Sequence, residues 1–203
     1  MSVELDALIL DNLGELTETA QRIEDLEKRV FAAVGEVSRA WAARNGWIGE
    51  FTFPGYDYHE ETQYWLAPAA WRIPGEDVDA DFWFIPGAWG PPPRYQSWLA
   101  SLTGTGQGGV GFRLIQDYLT DRQWAGRQRR EIKSLSLAVP HDEDGFFLAF
   151  TLDNAALAAA AWNGDFGKAM EPLIAALDRL PQLLPVLEGL IASVRQQAQA
   201  SSA

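Results

Sequence analysis

One long run of apolar residues, spaced three and four apart, constrains this chain most. The run begins at Leu16 and ends at Trp41. Such spacing places apolar side chains on one face of an α-helix. Asn12 is a candidate N-terminal cap, and Asn45-Gly46 is a normal helix end. The pattern therefore predicts a helix of about 30 residues, near 45 Å long at the standard rise per residue.

A helix of this length is longer than a small sheet can cover. Its N-terminal half either projects from the body of the protein or pairs with a second copy as a short coiled coil. The strict heptad slips between Ile23, Leu26 and Val30, which weakens the coiled-coil interpretation. We expect residues 1–45 to form an N-terminal helical segment that serves as a dimerisation arm, and we expect a homo-oligomer.

Residues 46–198 have the pattern of an α+β domain. Short apolar runs separated mainly by turns favour an antiparallel sheet. We expect five to seven strands, with the long N-terminal helix and C-terminal helices packed on the sheet, and a disordered tail at 199–203. The predicted strands are 48–53, 62–66, 81–85, 97–102, 111–115, 135–139 and 146–152. The predicted helices are 121–130, 154–162, 168–180 and 186–197.

Proline and glycine mark the predicted connections. Pro86-Gly87 is expected in a loop, and Pro181 and Pro185 are expected to separate the last two helices. The glycine-rich run 103–109 leads into a predicted strand, whereas a phosphate-binding loop leads into a helix N-terminus. This run is therefore predicted to be a loop between two strands.

Composition and charge narrow the classes of function. The chain has no cysteine, which excludes disulfides, thiol nucleophiles and iron–sulfur clusters. No apolar run reaches the roughly 18 residues of a membrane span, and the N-terminus lacks signal-peptide features, so we expect a cytoplasmic protein. The formal net charge of −12 disfavours nucleic acid and anionic membranes and suits a basic protein partner.

An aromatic and acidic stretch, residues 46–71, is the first candidate binding region. It holds eight aromatic and four acidic residues. Most of these aromatics should belong to the sheet core. Tyr56 and Tyr58, together with Trp89 further along, lie beside Pro or Gly turns that often present side chains outward. We expect these three aromatics to contact a partner.

An arginine-rich segment, residues 122–133, is the second candidate. It contains five of the chain's 16 basic residues. Trp124 lies in the same segment and could stack on a ligand. The segment suits a small anionic ligand, or it balances the acidic N-terminal helix. The candidate residues are Arg122, Trp124, Arg127, Arg129 and Arg130.

A tripeptide in the same segment raises an enzymatic alternative. Glu131 and Lys133 have the form of the Glu-x-Lys half of the PD-(D/E)xK nuclease signature, in which acids hold a magnesium ion. Asp117 or Asp121 would have to supply the second acid. The two histidines, His59 and His141, lack the paired spacing of a zinc site, so no metal or cofactor is expected.

Together these observations favour a non-catalytic binding protein with an aromatic and acidic surface. Antitoxins, immunity proteins and inhibitors are examples of acidic proteins that bind basic partners. The alternatives are a metal-dependent nuclease and a domain that binds a small anionic ligand.

Overall fold

The computed structural model describes residues 3–52, 64–73, 79–89, 97–106, 108–134 and 139–201. Within them a five-stranded antiparallel sheet and six α-helices confirm the predicted α+β class. The strands, in spatial order, are β1 Trp47–Phe51, β2 Tyr64–Pro68, β3 Phe82–Trp89, β4 Gly109–Gln116 and β5 Phe147–Phe150. The helices are α1 Val3–Asp11, α2 Leu13–Asn45, α3 Trp98–Leu102, α4 Asp121–Ser134, α5 Asn154–Asn163 and α6 Glu171–Ser201.

The long helix α2 has two halves with different surroundings. Its C-terminal half buries Val30, Phe31, Val34 and Trp41 in the core that the sheet and α6 share. Its N-terminal half is exposed over most of its length. The core therefore crosses residue 45, the boundary that the sequence suggested between a helical segment and an α+β domain.

Residues alternate between the two faces of the sheet. The face that α2 and α6 cover is fully buried and aromatic; it includes Phe82 and Phe84 of β3, Phe112 and Leu114 of β4, and Leu148 of β5. The opposite face carries Trp65, Trp83, Ile85 and Ile115, which are half-buried. Aromatic side chains thus occur on both faces of the sheet.

Polar side chains of α6 tie it to the other elements. Asp178 accepts a hydrogen bond from Trp41 Nε1, and Glu188 accepts one from Trp71 Nε1, each at 2.7 Å. Arg195 donates twice to the carboxylate of Asp81, also at 2.7 Å. Because each bond satisfies a partly buried group, these contacts fix α6 along its length.

The predicted break in the C-terminal helices is wrong. Pro181 and Pro185 lie inside one continuous helix, α6. A proline inside a helix costs about 3 kcal/mol. Leu180, Leu183 and Leu187 are buried on the same face around the prolines, so tertiary packing offsets that cost. The helix extends to Ser201, and disorder of the tail 199–203 stays a prediction.

The predicted strand at 97–102 is also wrong, because these residues include helix α3. Ser97 caps the helix, since its side chain accepts from the backbone N–H of Ala100. Glu27 of α2 accepts the backbone N–H of Leu99 at 3.0 Å and also binds the Ser97 hydroxyl. The glycine-rich run consequently follows a helix instead of a strand. It enters strand β4, as predicted.

Strand β3 continues through Pro86-Gly87, which the sequence placed in a loop. β3 pairs with β4 along its whole length, whereas its register with β2 is the single pair Leu66 and Phe84. The ladder between β2 and β3 is thus short among the described residues, and a strand tolerates proline where its missing N–H is not needed by a ladder. Of the predicted strand 135–139, residues 135–138 lie outside the described residues.

None of the described helices is both long enough and apolar enough to cross a membrane.

Candidate functional site

An acidic arm, residues 3–26, consists of α1 and the first part of α2. Asn12 joins the two helices: its side-chain Nδ2 donates to Leu8 O at 2.8 Å instead of capping α2 as expected. The backbone N–H of Leu16 donates to Asn12 O at 3.0 Å. The helical hydrogen bonding is thus nearly continuous through the junction.

The arm carries an exposed apolar surface. Nine large hydrophobic side chains are exposed among the described residues, and seven of them lie on the arm, between 40% and 70% exposed. They are Leu5, Leu8, Ile9, Leu10, Leu13, Leu16 and Ile23. Scattered exposed leucines need no explanation, but clustered ones mark interaction sites.

This apolar surface continues a face that the rest of the molecule buries. Leu16, Ala20 and Ile23 lead, at spacings of three and four, to the buried Val30 and Val34 further along α2. Residues at these spacings share one helix face. The arm therefore presents to solvent the same kind of surface that packs on the sheet one to two turns later.

Glu27 is the first buried residue along α2. Its side chain is buried, and its Oε1 accepts the hydrogen bonds from Ser97 and Leu99 of the α3 start. Its Oε2 has no hydrogen-bond partner within the described ranges. The buried carboxylate fixes α2 to α3, and the arm begins immediately before this anchor.

The arm also holds half of the protein's net charge. Residues 3–26 contain seven acidic side chains and one basic side chain, a net charge of −6 out of −12. Almost all of them are exposed. Glu15 and Glu24 flank the apolar face of α2, whereas Glu18 and Asp25 lie on the opposite side, so the arm combines apolar area with a strong negative field.

The arginine-rich segment is helix α4 and does not form one binding cluster. Arg122, Arg129 and Arg130 are exposed, whereas Arg127 donates to Ser193 Oγ of α6 at 2.8 Å. Trp124 is 4% exposed, and its Nε1 donates to Leu114 O at 2.8 Å. The expectation that Trp124 stacks on a ligand is therefore wrong, because its ring belongs to the core.

The nuclease alternative gains no support from the described residues. Glu131 lies on α4, not on a strand, and it pairs with Arg127 at 3.4 Å. Asp121 lies ten residues before Glu131 on the same helix, about 15 Å along its axis. No group of three or more potential metal ligands occurs in the described part of the chain. The side chain of Lys133 lies outside the described residues.

Asp117 follows β4 in a separate acidic environment. Partial burial raises its pKa above the ordinary value of 3.8, and the nearby Asp79 raises it further. Tyr118 beside it donates to Asp81 Oδ2 at 3.0 Å, and burial, followed by this bond, raises its pKa. Arg195 neutralises Asp81 through a two-bond ion pair. Asp117 thus belongs to a structural cluster with Asp79 and Asp81.

The aromatic residues predicted to bind a partner are not placed by the structure. Tyr56 and Tyr58 lie outside the described residues, as does His59, and so does the side chain of Trp89. The most exposed aromatic described is Trp162, at 92%, in the last turn of α5. Its position could have been read from the helix period, because it lies opposite the buried Leu157 and Ala160.

A groove lies near this end of α5. It has a volume of about 540 Å³ and runs between α2 and residues 164–167. Arg29 lines it and sits over the ring of Phe166, 5.2 Å from its centroid. Glu36 and Asp165 add acidic groups to its walls.

Comparisons with models of protein families, with curated proteins and with solved structures find no match to this chain.

Proposed function

We propose that this chain is a non-catalytic binding protein whose acidic arm docks on a basic protein partner. The observation that carries this proposal is the coincidence of the exposed apolar surface and a net charge of −6 on residues 3–26. Apolar area provides affinity, and charge selects the partner and speeds its approach.

The geometry of the arm suits the helix-in-groove mode of recognition. In that mode an amphipathic helix places side chains at positions i, i+3, i+4 and i+7 into an apolar groove of the partner. Leu13, Leu16, Ala20 and Ile23 follow this pattern at positions i, i+3, i+7 and i+10. The partner groove would be apolar at its floor and would carry lysine or arginine at its rim, next to Glu15 and Glu24, which flank the apolar face of α2.

A second copy of the chain is the competing occupant of the same apolar surface. Ile9, Leu13, Leu16, Ala20 and Ile23 alternate spacings of four and three, which suits a helix pair. Two arms of charge −6 repel each other, however, whereas a basic partner is attracted. The charge therefore favours the basic partner, and homo-oligomer formation through the arm is the second candidate.

The salt concentration distinguishes the two candidates, because salt changes the affinity of the arm for a basic partner and for a second acidic arm in opposite directions. Screening weakens binding of a basic partner and strengthens pairing of two acidic arms. Light scattering of the purified protein alone should show a monomer at about 0.05 M salt and no dimer at about 0.5 M salt. A dimer that tightens as salt rises would assign the apolar surface to a second copy.

The direct experiment captures partners from an extract of the producing cells. Wild-type protein and Leu16→Gln/Ile23→Gln serve as parallel baits, since glutamine retains helix propensity and adds no charge. Gly14→Gln is the control, because Gly14 lies on the opposite side of α2 from Leu16 and Ile23 and has open space for a side chain. We expect a basic protein that wild type and control retain, that the double variant loses, and that binds again when purified. Identical capture by all three baits would reject the proposal.

A further inference from the structure

A cavity of about 460 Å³ lies between the end of α4 and the turn that precedes β5. Its volume falls in the range of small-molecule sites. Arg129 and Ile132 line it from α4, and His141, Asp142, Glu143 and Gly145 line it from the turn. It lies on the body of the protein, apart from the acidic arm.

The turn that forms one wall is held in place by several bonds. Asp142 pairs with Arg113 of β4 at 2.6 Å, and its Oδ1 accepts the backbone N–H groups of Asp144 and Gly145. Gln128 of α4 accepts the backbone N–H of Phe146 at 2.9 Å. The carboxylate of Asp142 is thus fully engaged, and Arg113 balances its charge.

Three polar groups of the cavity remain to meet a ligand. Nδ1 of His141 lies 2.9 Å from Val139 O, and because a carbonyl only accepts, Nδ1 must donate. In the neutral ring Nε2 is then an acceptor. Arg129 and Glu143 are exposed and carry opposite charges, yet no ion pair joins them within the described ranges.

We propose that this cavity binds a small zwitterion with the chemistry of a free α-amino acid. Nε of Arg129 donates to Ala125 O at 3.3 Å, so its two terminal nitrogens are the ones that would bind a carboxylate, through two parallel hydrogen bonds. The Glu143 carboxylate and His141 Nε2 are acceptors that match the donors of an ammonium group. Ile132 provides an apolar wall for the rest of the ligand. A doubly charged anion fits less well, because it would meet the negative charge of Glu143.

The first experiment is ligand-observed NMR with each of the twenty free amino acids at about 10 mM, which detects dissociation constants in the range of about 1 mM. The best binder is then compared with its N-acetyl derivative, which lacks the ammonium charge, and with its amide, which lacks the carboxylate. We expect each derivative to bind at least about tenfold weaker. Absence of binding by all twenty amino acids would overturn the proposal.

Two charge-removing variants test the orientation of the ligand. In Arg129→Gln the preference for the amino acid over its amide should shrink, and in Glu143→Gln the preference for the amino acid over its N-acetyl derivative should shrink, with His141 Nε2 still accepting from the ammonium group. Arg122→Gln, an exposed arginine on the same helix, should bind like wild type, as should Leu16→Gln/Ile23→Gln. Binding that neither Arg129→Gln nor Glu143→Gln weakens would contradict the proposed site.

Discussion

Trp41 and Asp178 connect the two longest helices through one hydrogen bond, in which the indole Nε1 donates to Oδ1 at 2.7 Å. The Trp41 ring is buried and contacts Trp47 edge to face, with ring centroids 5.2 Å apart. The bond therefore fixes the C-terminal half of α2 on α6. The acidic arm lies at the other end of α2, beyond the Glu27 anchor, so it can engage a partner without disturbing the core.

The Trp41–Asp178 bond should be measurable as a coupling in a double-mutant cycle. A hydrogen bond to a charged group contributes about 1.5–3 kcal/mol. Urea unfolding of Trp41→Phe, Asp178→Ala and the double variant should give a coupling above about 0.5 kcal/mol. Purely additive losses would show that the indole stabilises the fold through packing alone.

Gly35 should tolerate no side chain, whereas Gly189 should. A Cβ at Gly35 would overlap the backbone carbonyl oxygen of Phe51, which cannot move without shifting β1. Nothing lies within 4 Å of a Cβ at Gly189. Gly35→Ala should therefore lower the free energy of unfolding by about 1–3 kcal/mol, although alanine has a higher helix propensity than glycine. Gly189→Ala should raise it by up to about 1 kcal/mol.

The two glycine variants control for each other, because both sites lie inside helices. Their intrinsic gain on substitution by alanine is similar, so the difference between them reports the overlap at Phe51. Thermal and urea unfolding measure this difference. Equal stability changes at the two positions would contradict the close approach of α2 and β1.

The ionised side chain of Asp117 should lower the free energy of unfolding at neutral pH. Its pKa is raised in the folded protein, so between 3.8 and the raised value the folded state holds a proton that the unfolded state has lost. Stability therefore falls as pH rises through this interval. Asp117→Asn should raise the melting temperature relative to wild type at pH 7, and the gain should shrink toward pH 4.

The control for Asp117 is Asp121→Asn. Asp121 lies in the first turn of α4, where a carboxylate favours the helix. This variant should lower the melting temperature at pH 7. If Asp117→Asn gave the same change at pH 4 and pH 7, the raised pKa would not be a source of the pH dependence.

Local periodicity made the long helix and the sheet predictable. The spacing from Leu16 to Trp41 predicts α2 whatever the rest of the fold does, and alternating apolar runs predict antiparallel strands. Helix α3 escaped prediction because Glu27, distant in sequence, satisfies the N–H of Leu99 at its start. The continuity of α6 escaped because buried leucines outweigh Pro181 and Pro185.

Exposure was harder to predict than secondary structure. Trp124 has an indole N–H and basic neighbours in sequence, which suggested a surface position. Its N–H instead donates to Leu114 O inside the core. Which part of α2 is exposed depends on where the sheet and α3 end. The spacing of apolar residues along α2 carries no information about those ends. The sequence therefore indicated a projecting helix without locating the transition at Glu27.

The most direct measurement of partner choice uses two labelled helical peptides with identical apolar heptads. One peptide carries lysine and the other glutamate at its outer positions, and fluorescence anisotropy reports binding to wild-type protein at about 0.15 M salt. The acidic arm should bind the lysine peptide at least about tenfold tighter than the glutamate peptide. Leu16→Gln/Ile23→Gln should lose this binding, while Gly14→Gln should keep it. Equal binding of both peptides, or lysine-peptide binding that the double variant retains, would contradict a basic partner docked on the arm.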